Sequence, residues 1–448
     1  MTAGSFRYWG LLLAVLVITF LLYPAAVGHF GFPFEFFALI SITVPFGSIL
    51  FHKRLIQLKD LLQVKTVGQL YSGYYQNPAL LYLLWFCSFL IVCLFLGTLF
   101  SLSINLMEYL NGDGMIRWVG NQSTQLMDPF HFTLLIGSIG LLTSPLFTQL
   151  SFMTSNPSLL ARQQVWGIGF FIGALLLSVP VLIWCVAISP VFLSATALFC
   201  ILVMVVILVR LLSYQTVCDL SPSSSSSYGI TQRSVFSTPL LMGLVIVVSA
   251  VFSFASGEEA IKLGWLGIAL GLQMIPALIG LRFVPWFTGR AVFCGLIVGI
   301  LVVLLTDVPG LALKELFLTD FSFSSHPLQI FSGGWGVLFN LLVVLIISAF
   351  TQSRNSFEHR AQLHDLCLER GHVASSSTGF KLLAWIICFV WFFFAIGPGA
   401  VLGIHLFTDL DLLKGLPAPL TPLWIWSAFW WGVGVIMLRL LCGQLKLN

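Results

Sequence analysis

The chain has 448 residues, of which 58% are hydrophobic and 8% charged, with a formal net charge of +4 and a mean hydropathy of +1.02. So few charges cannot cover a water-soluble globule of this size, which excludes a soluble enzyme, and the small positive excess requires no nucleic acid or other anionic partner. The composition predicts an all-α, polytopic membrane protein, because a helix satisfies its own backbone polar groups in lipid.

Apolar runs of roughly 20 residues, the length that crosses about 30 Å of hydrocarbon, recur along the chain. They predict twelve spans at 8–27, 33–51, 79–104, 131–153, 163–188, 191–209, 235–255, 263–281, 291–306, 334–352, 382–404 and 423–438. The first, behind Arg7, reads as an anchor helix rather than a cleaved signal, since no cleavage pattern follows it. With both termini placed in the cytoplasm, sixteen of the twenty Lys and Arg fall on inner segments and four, Arg117, Lys262, Lys314 and Lys414, on outer ones. That asymmetry satisfies the positive-inside rule and points to the cytoplasmic (inner) membrane. The nine cysteines are scattered singly, without CxxC, and read as core packing. The run 221-SPSSSSSYG-229 is a flexible connector, and Asn121-Gln122-Ser123 fits a glycosylation pattern that carries nothing without a secretory context.

Motifs for chemistry are missing: no HExxH, no GxSxG, and no histidines on facing helices to hold a haem. No catalytic residue and no metal ligand is assigned, and the chain reads as a non-enzyme. The densest polar cluster, 354-RNSFEHRAQLHDLCLERGH-372, spaces His359 and His364 five apart, on different sides of a helix, and reads as a solvated cytoplasmic amphipathic helix. Uncharged polar residues and helix breakers inside apolar spans remain. Three places stand out: Ser144-Pro145 with Thr148 and Gln149; Ser194, Ala195 and Thr196, whose two hydroxyls suit a hard cation such as sodium; and the glycine-rich run 264-GWLGIALGLQMIPALIG-280, which puts Gln273 and Pro276 at membrane depth. Broken helices of this kind expose backbone groups that bind solutes and ions in transporters, although small residues and prolines also serve ordinary helix packing.

The order of these features resembles the sodium:solute symporter family. The segment 65-KTVGQLYSGYYQNPALLYLL-84 resembles the Thr-x-x-(Asp/Glu)-Phe…Arg-Tyr stretch before that family's third core helix. The run from Leu142 through Phe147, Asn156 and Leu160-Ala161-Arg162 resembles its sixth core helix and the following turn. The run 264–300, with its Pro and Gly-x-x-x-Gly, is similar to its tenth, and 335–362 is closest to the version at the front of some bacterial sensor kinases. The resemblance implies a LeuT-type fold with an inverted repeat, and sodium-driven uptake of a small organic solute. It places sodium on Ser194, Ala195 and Thr196 in the eighth core helix, and solute near Ser144, Pro145, Thr148, Gln149 and Gln273.

Two departures are visible. Residues 111–129 are too short and polar to hold the family's fourth and fifth core helices, so the inverted repeat is incomplete, and the first span keeps Thr19 as its one polar side chain at membrane depth. The expected organisation is a symporter-like core at 1–352, an amphipathic connector at 353–381, and two additional C-terminal helices at 382–448. The expected partners are the lipid bilayer, a small organic solute and, if transport has been lost, a membrane-protein partner for which the chain acts as a sensor module or structural subunit.

Overall fold

A computed structural model describes residues 37–47, 51, 53–110, 143–152, 166–167, 169–174, 177–178, 190–220, 238–256, 260–307, 331–369, 378–396, 399 and 422–444. Among these residues the chain is helical and forms no strand. In chain order the helices are α1 (Phe37–Gly47), α2 (Lys53–Leu62), α3 (Val67–Tyr75), α4 (Ala79–Leu110), α5 (Pro145–Phe152), α6 (Pro190–Leu220), α7 (Thr238–Ser256), α8 (Ala260–Leu272), α9 (Ile275–Arg282), α10 (Gly289–Thr306), α11 (Ser332–Phe350), α12 (Arg354–Glu369), α13 (Thr378–Trp391) and α14 (Pro422–Gln444). A π-helical turn, Phe392–Ile396, extends α13.

Six of the described stretches are long and apolar enough to cross a membrane: Ala79–Ser101, Ile201–Leu220, Leu263–Arg282, Gly289–Thr306, Ser332–Phe350 and Trp424–Leu441. The chain is therefore a helical membrane protein. The expected first span at 8–27, most of the one at 163–188, and the segment 111–129 lie outside the described residues. Apolar side chains also face outward in stripes. On α7, Leu240, Leu244, Val247, Val251 and Phe254 are all exposed at helical spacing, the pattern of a face turned to lipid.

Helix α4 forms the centre, packed against α6, α7 and α8, while α10 and α11 form an antiparallel pair. The register of that pair is fixed at both ends. The Thr288 N–H donates to Ser348 Oγ (3.1 Å) at one end, and Ser332 Oγ donates to Asp307 Oδ2 (2.6 Å) at the other. Glycines let the two helices close: a Cβ at Gly295 would lie 2.5 Å from both Asn340 Oδ1 and Val344 Cγ2.

The segments 53–77, 283–290 and 352–369 meet at one end of the bundle. Tyr75 donates its hydroxyl to Ala277 O (2.7 Å), Asn77 Nδ2 to Gly289 O (3.0 Å), and Arg360 Nε to Pro285 O (2.7 Å). Glycine at 289 is required by this docking, since a Cβ there would run into the Tyr75 carbonyl and stand 3.0 Å from Asn77 Cβ. Thr66 caps α3 by accepting the Gln69 N–H (3.1 Å), and Gln76 ends the helix in the left-handed region at φ 51°.

Two sequence readings need amendment. The solvated helix expected after residue 353 is docked: α12 packs on α2 and α3, Arg360 is fully buried, and only the outer face of the helix is exposed. Its two histidines both reach α3, His359 at Gly73 O (3.3 Å) and His364 at the Tyr74 hydroxyl (2.8 Å). The span drawn at 191–209 continues to Leu220, because its polar end meets partners on α3 and α4 rather than water: Trp85 Nε1 donates to Thr216 Oγ1 (2.9 Å), and Gln69 Nε2 to Cys218 O (2.9 Å).

Candidate functional site: a broken helix at Gln273

The most enclosed of the six spans, Leu263–Arg282, is interrupted in its middle. The cause is local. Pro276 has no N–H for the Leu272 carbonyl four residues back, so the α-helical ladder cannot pass that point. The chain tightens instead, with Gln273 N–H on Leu270 O and Met274 N–H on Gly271 O, both at 3.2 Å. Helical bonding resumes when Leu278 N–H meets Met274 O (2.9 Å).

Gln273 occupies the break and is 1% exposed. Its Nε2 donates to Ala269 O (2.9 Å) and Gly333 O (3.3 Å), which fixes the orientation of the amide. Asn340 on α11, also 1% exposed, donates Nδ2 to the Gln273 backbone carbonyl (2.7 Å). Both donors are satisfied and both acceptors are not: Gln273 Oε1 and Asn340 Oδ1 are buried with no hydrogen-bond partner. Each faces a glycine of α10. A Cβ at Gly299 would collide with Gln273 Oε1, and one at Gly295 would meet Asn340 Oδ1. An unsatisfied buried acceptor costs about 1–3 kcal/mol. Two neutral carbonyl-type oxygens suit a ligand carrying N–H or O–H donors, or a monovalent cation; without a carboxylate they suit a divalent one poorly.

The stretch around Pro145 divides in two. Pro145 stands at the first position of α5, where its missing N–H is harmless. At this end the Thr143 hydroxyl donates to Gly271 O (3.1 Å), so the start of α5 abuts the break in α8 and α9. Ser144 is buried there. The other residues turn away. Thr148 returns its hydroxyl to the Ser144 and Pro145 carbonyls (both 3.0 Å), and Gln149, about 6 Å along the helix from Pro145, belongs to the α3 junction. Its Oε1 accepts the Val67 N–H (2.8 Å) and its Nε2 donates to Lys65 O (3.2 Å). Thus Ser144 and Pro145 lie on the Gln273 side, whereas Gln149 is held by protein. Ser194, Ala195 and Thr196 fall in the first turns of α6, but their side chains lie outside the described residues.

Sequence reasoning missed Asn340 and Asp219. A lone amide in the apolar span 334–352, opposite Gly295-x-x-x-Gly299, was the available signal for Asn340. Asp219 lies ten residues beyond the expected end of its span at 209. It is the one acidic side chain in the six described spans, one residue from the end of its own, Ile201–Leu220. One oxygen is tied into the fold and the other is not: Oδ1 accepts from the Thr66 hydroxyl, while Oδ2 lies over Gly68, where a Cβ would stand 2.8 Å away, and is buried with no hydrogen-bond partner. The carboxylate sits at the N-terminus of α3, where the helix dipole favours negative charge. Among the described residues, no group of three His, Cys, Asp or Glu is placed to hold a metal ion.

Comparison of the chain with protein-family models, with curated proteins and with solved structures finds no match.

Proposed function

We propose that this protein is an integral membrane secondary transporter of the sodium:solute symporter type, moving a small organic solute with sodium, and that Gln273 and Asn340 handle the solute. The observation that carries this reading is the break at Gln273, with two buried acceptors that no protein donor fills. A discontinuous membrane helix is the usual device for presenting polar groups at mid-membrane. A solute with amide, amine or hydroxyl donors would satisfy Gln273 Oε1 and Asn340 Oδ1 and remove the desolvation penalty they carry in its absence. Ser144 and Pro145 stand on the same side of the bundle, and sodium is assigned, on the family resemblance, to the hydroxyls of Ser194 and Thr196. The protein acts in the cytoplasmic membrane with both termini inside, and no catalysis is assigned to it.

The test is uptake by purified protein in proteoliposomes, with an inward sodium gradient and a panel of labelled amino acids, sugars and carboxylates. Sodium-dependent uptake of one class, abolished by Gln273→Leu and shifted to higher sodium by Ser194→Ala or Thr196→Ala, is expected. Absence of both uptake and binding across the panel overturns the reading.

A second reading, a transport-inactive relative acting as a sensor module or subunit, is favoured by one observation. Buried Arg360 ties α12 to Pro285 in the loop after α9, so displacement of α9 reaches the segment beyond the core directly. A stoichiometric membrane-protein partner retained in mild detergent would support it.

A further inference from the structure

Two arginines and a histidine converge at the end of the bundle where α2, α9 and α12 meet. Arg54 on α2 is 4% exposed; its Nη2 donates to His364 O (3.1 Å), and its Nε has no partner. Arg282 closes α9, with its guanidinium 5.1 Å from the ring centroid of Phe283. His364 sits between them, half-buried. Burial, and then the charge of Arg54, lowers its pKa to about 4; Arg282 acts in the same direction, while the Gly280 carbonyl and the exposed Asp365 oppose the shift. Tyr74 contributes a hydroxyl that burial keeps protonated, 2.8 Å from His364 Nε2 and 3.2 Å from Gly280 O.

Buried arginines can be purely structural, and Arg360 in the same layer shows what that looks like. It is fully buried, donating Nε to Pro285 O (2.7 Å) and Nη2 to Gln352 Oε1 (3.3 Å). Arg54 differs: it is nearly as buried, yet a donor of its fork is unmet. An ion pair that the described residues do form, Arg354 to Glu358, lies on the exposed first turn of α12 and supplies no negative charge here. Leaving a buried guanidinium donor such as Arg54 Nε unmet costs free energy.

We propose that Arg54, Arg282 and His364 form a binding site for a phosphate group at this face of the membrane. The guanidinium fork matches phosphate oxygens in two-point geometry, and a phosphate would supply the acceptor that Arg54 Nε lacks. Phe283, 53% exposed, and Trp286 place the site at the depth where aromatic side chains meet lipid headgroups. Basic pockets between membrane helices at such a face take lipid phosphates; free phosphate offers the same chemistry. The site is independent of Gln273, so its failure leaves the transport reading untouched.

The experiment uses the full-length protein in phospholipid-free detergent and follows thermal unfolding during titration with phosphatidylglycerol, diacylglycerol or inorganic phosphate. Saturable stabilisation by phosphatidylglycerol and not by diacylglycerol, with apparent affinity weakened tenfold or more in Arg54→Gln, assigns a lipid phosphate. The same response to inorganic phosphate alone assigns a free one. Arg282→Gln, at a half-exposed position, gives the same reading if Arg54→Gln does not fold. Stabilisation by neither phosphate, or unchanged affinity in the variants, overturns the proposal.

Discussion

Two of the glutamines buried in this bundle, Gln149 at 0% and Gln273 at 1% exposure, have opposite fates. The Gln149 amide is filled on both sides by backbone groups of the α3 junction, and it works as a clasp. The Gln273 amide is filled only on its donor side, and its oxygen faces a glycine across the helix break. Burial and residue type do not distinguish them. The difference is which half of the hydrogen-bonding capacity the fold leaves over, and that difference separates structural polarity from polarity available to a ligand.

That contrast can be broken by substitution. The largest loss of stability is expected from Gln149→Leu, which strands the buried Val67 N–H at about 1–3 kcal/mol and also removes the bond to the Lys65 carbonyl; unfolding in detergent should shift clearly, while ligand affinity in the folded fraction stays the same. Gly299→Val should come next, because its side chain enters the space in front of Gln273 Oε1, with overpacking of about 1–3 kcal/mol; uptake should also vanish. Thr66→Val removes the α3 cap and the Asp219 partner, for about 1 kcal/mol or somewhat more.

A pH effect follows from His364, whose folded pKa of about 4 lies below the ordinary value of 6.5. The unfolded chain therefore binds the extra proton between these values, and stability should fall as pH drops from 6.5 towards 4. Arg54 and Arg282 sharpen that loss and Asp365 moderates it; His364→Gln should flatten the slope in a pH series of unfolding midpoints. A smaller stability change is expected from Gln273→Leu, because removal of its unfilled acceptor offsets part of the loss of the bonds to Ala269 O and Gly333 O. If Gln273→Leu destabilises as much as Gln149→Leu, the two glutamines are both structural and the distinction collapses.

Helical class and most described spans were readable from apolar run lengths, because lipid leaves the backbone few alternatives. The interruption at 273–274 was readable too, in Pro276 and the glycines before it. Partnership was not. Nothing local in 145-PLFTQLSF-152 says that Gln149 reaches Val67, a contact 82 residues away in sequence. Asn340 likewise gained meaning only once α11 was laid antiparallel to Gly295 and Gly299. Satisfaction of a polar group is a property of the assembled bundle, so the sequence could nominate Gln149 and Gln273 equally and rank neither.

The bond from Arg54 to the His364 carbonyl joins residues 310 apart, and Tyr74 waits for the same helix, 290 residues on. A chain growing from the ribosome makes α2 and α3 long before either partner exists. Arg54 and Tyr74 must therefore remain hydrated, or held by an insertion factor, until α12 emerges. Closure of this end is among the last steps of biogenesis, and a nascent chain stalled before residue 354 should expose Arg54 and Tyr74 to chemical labelling.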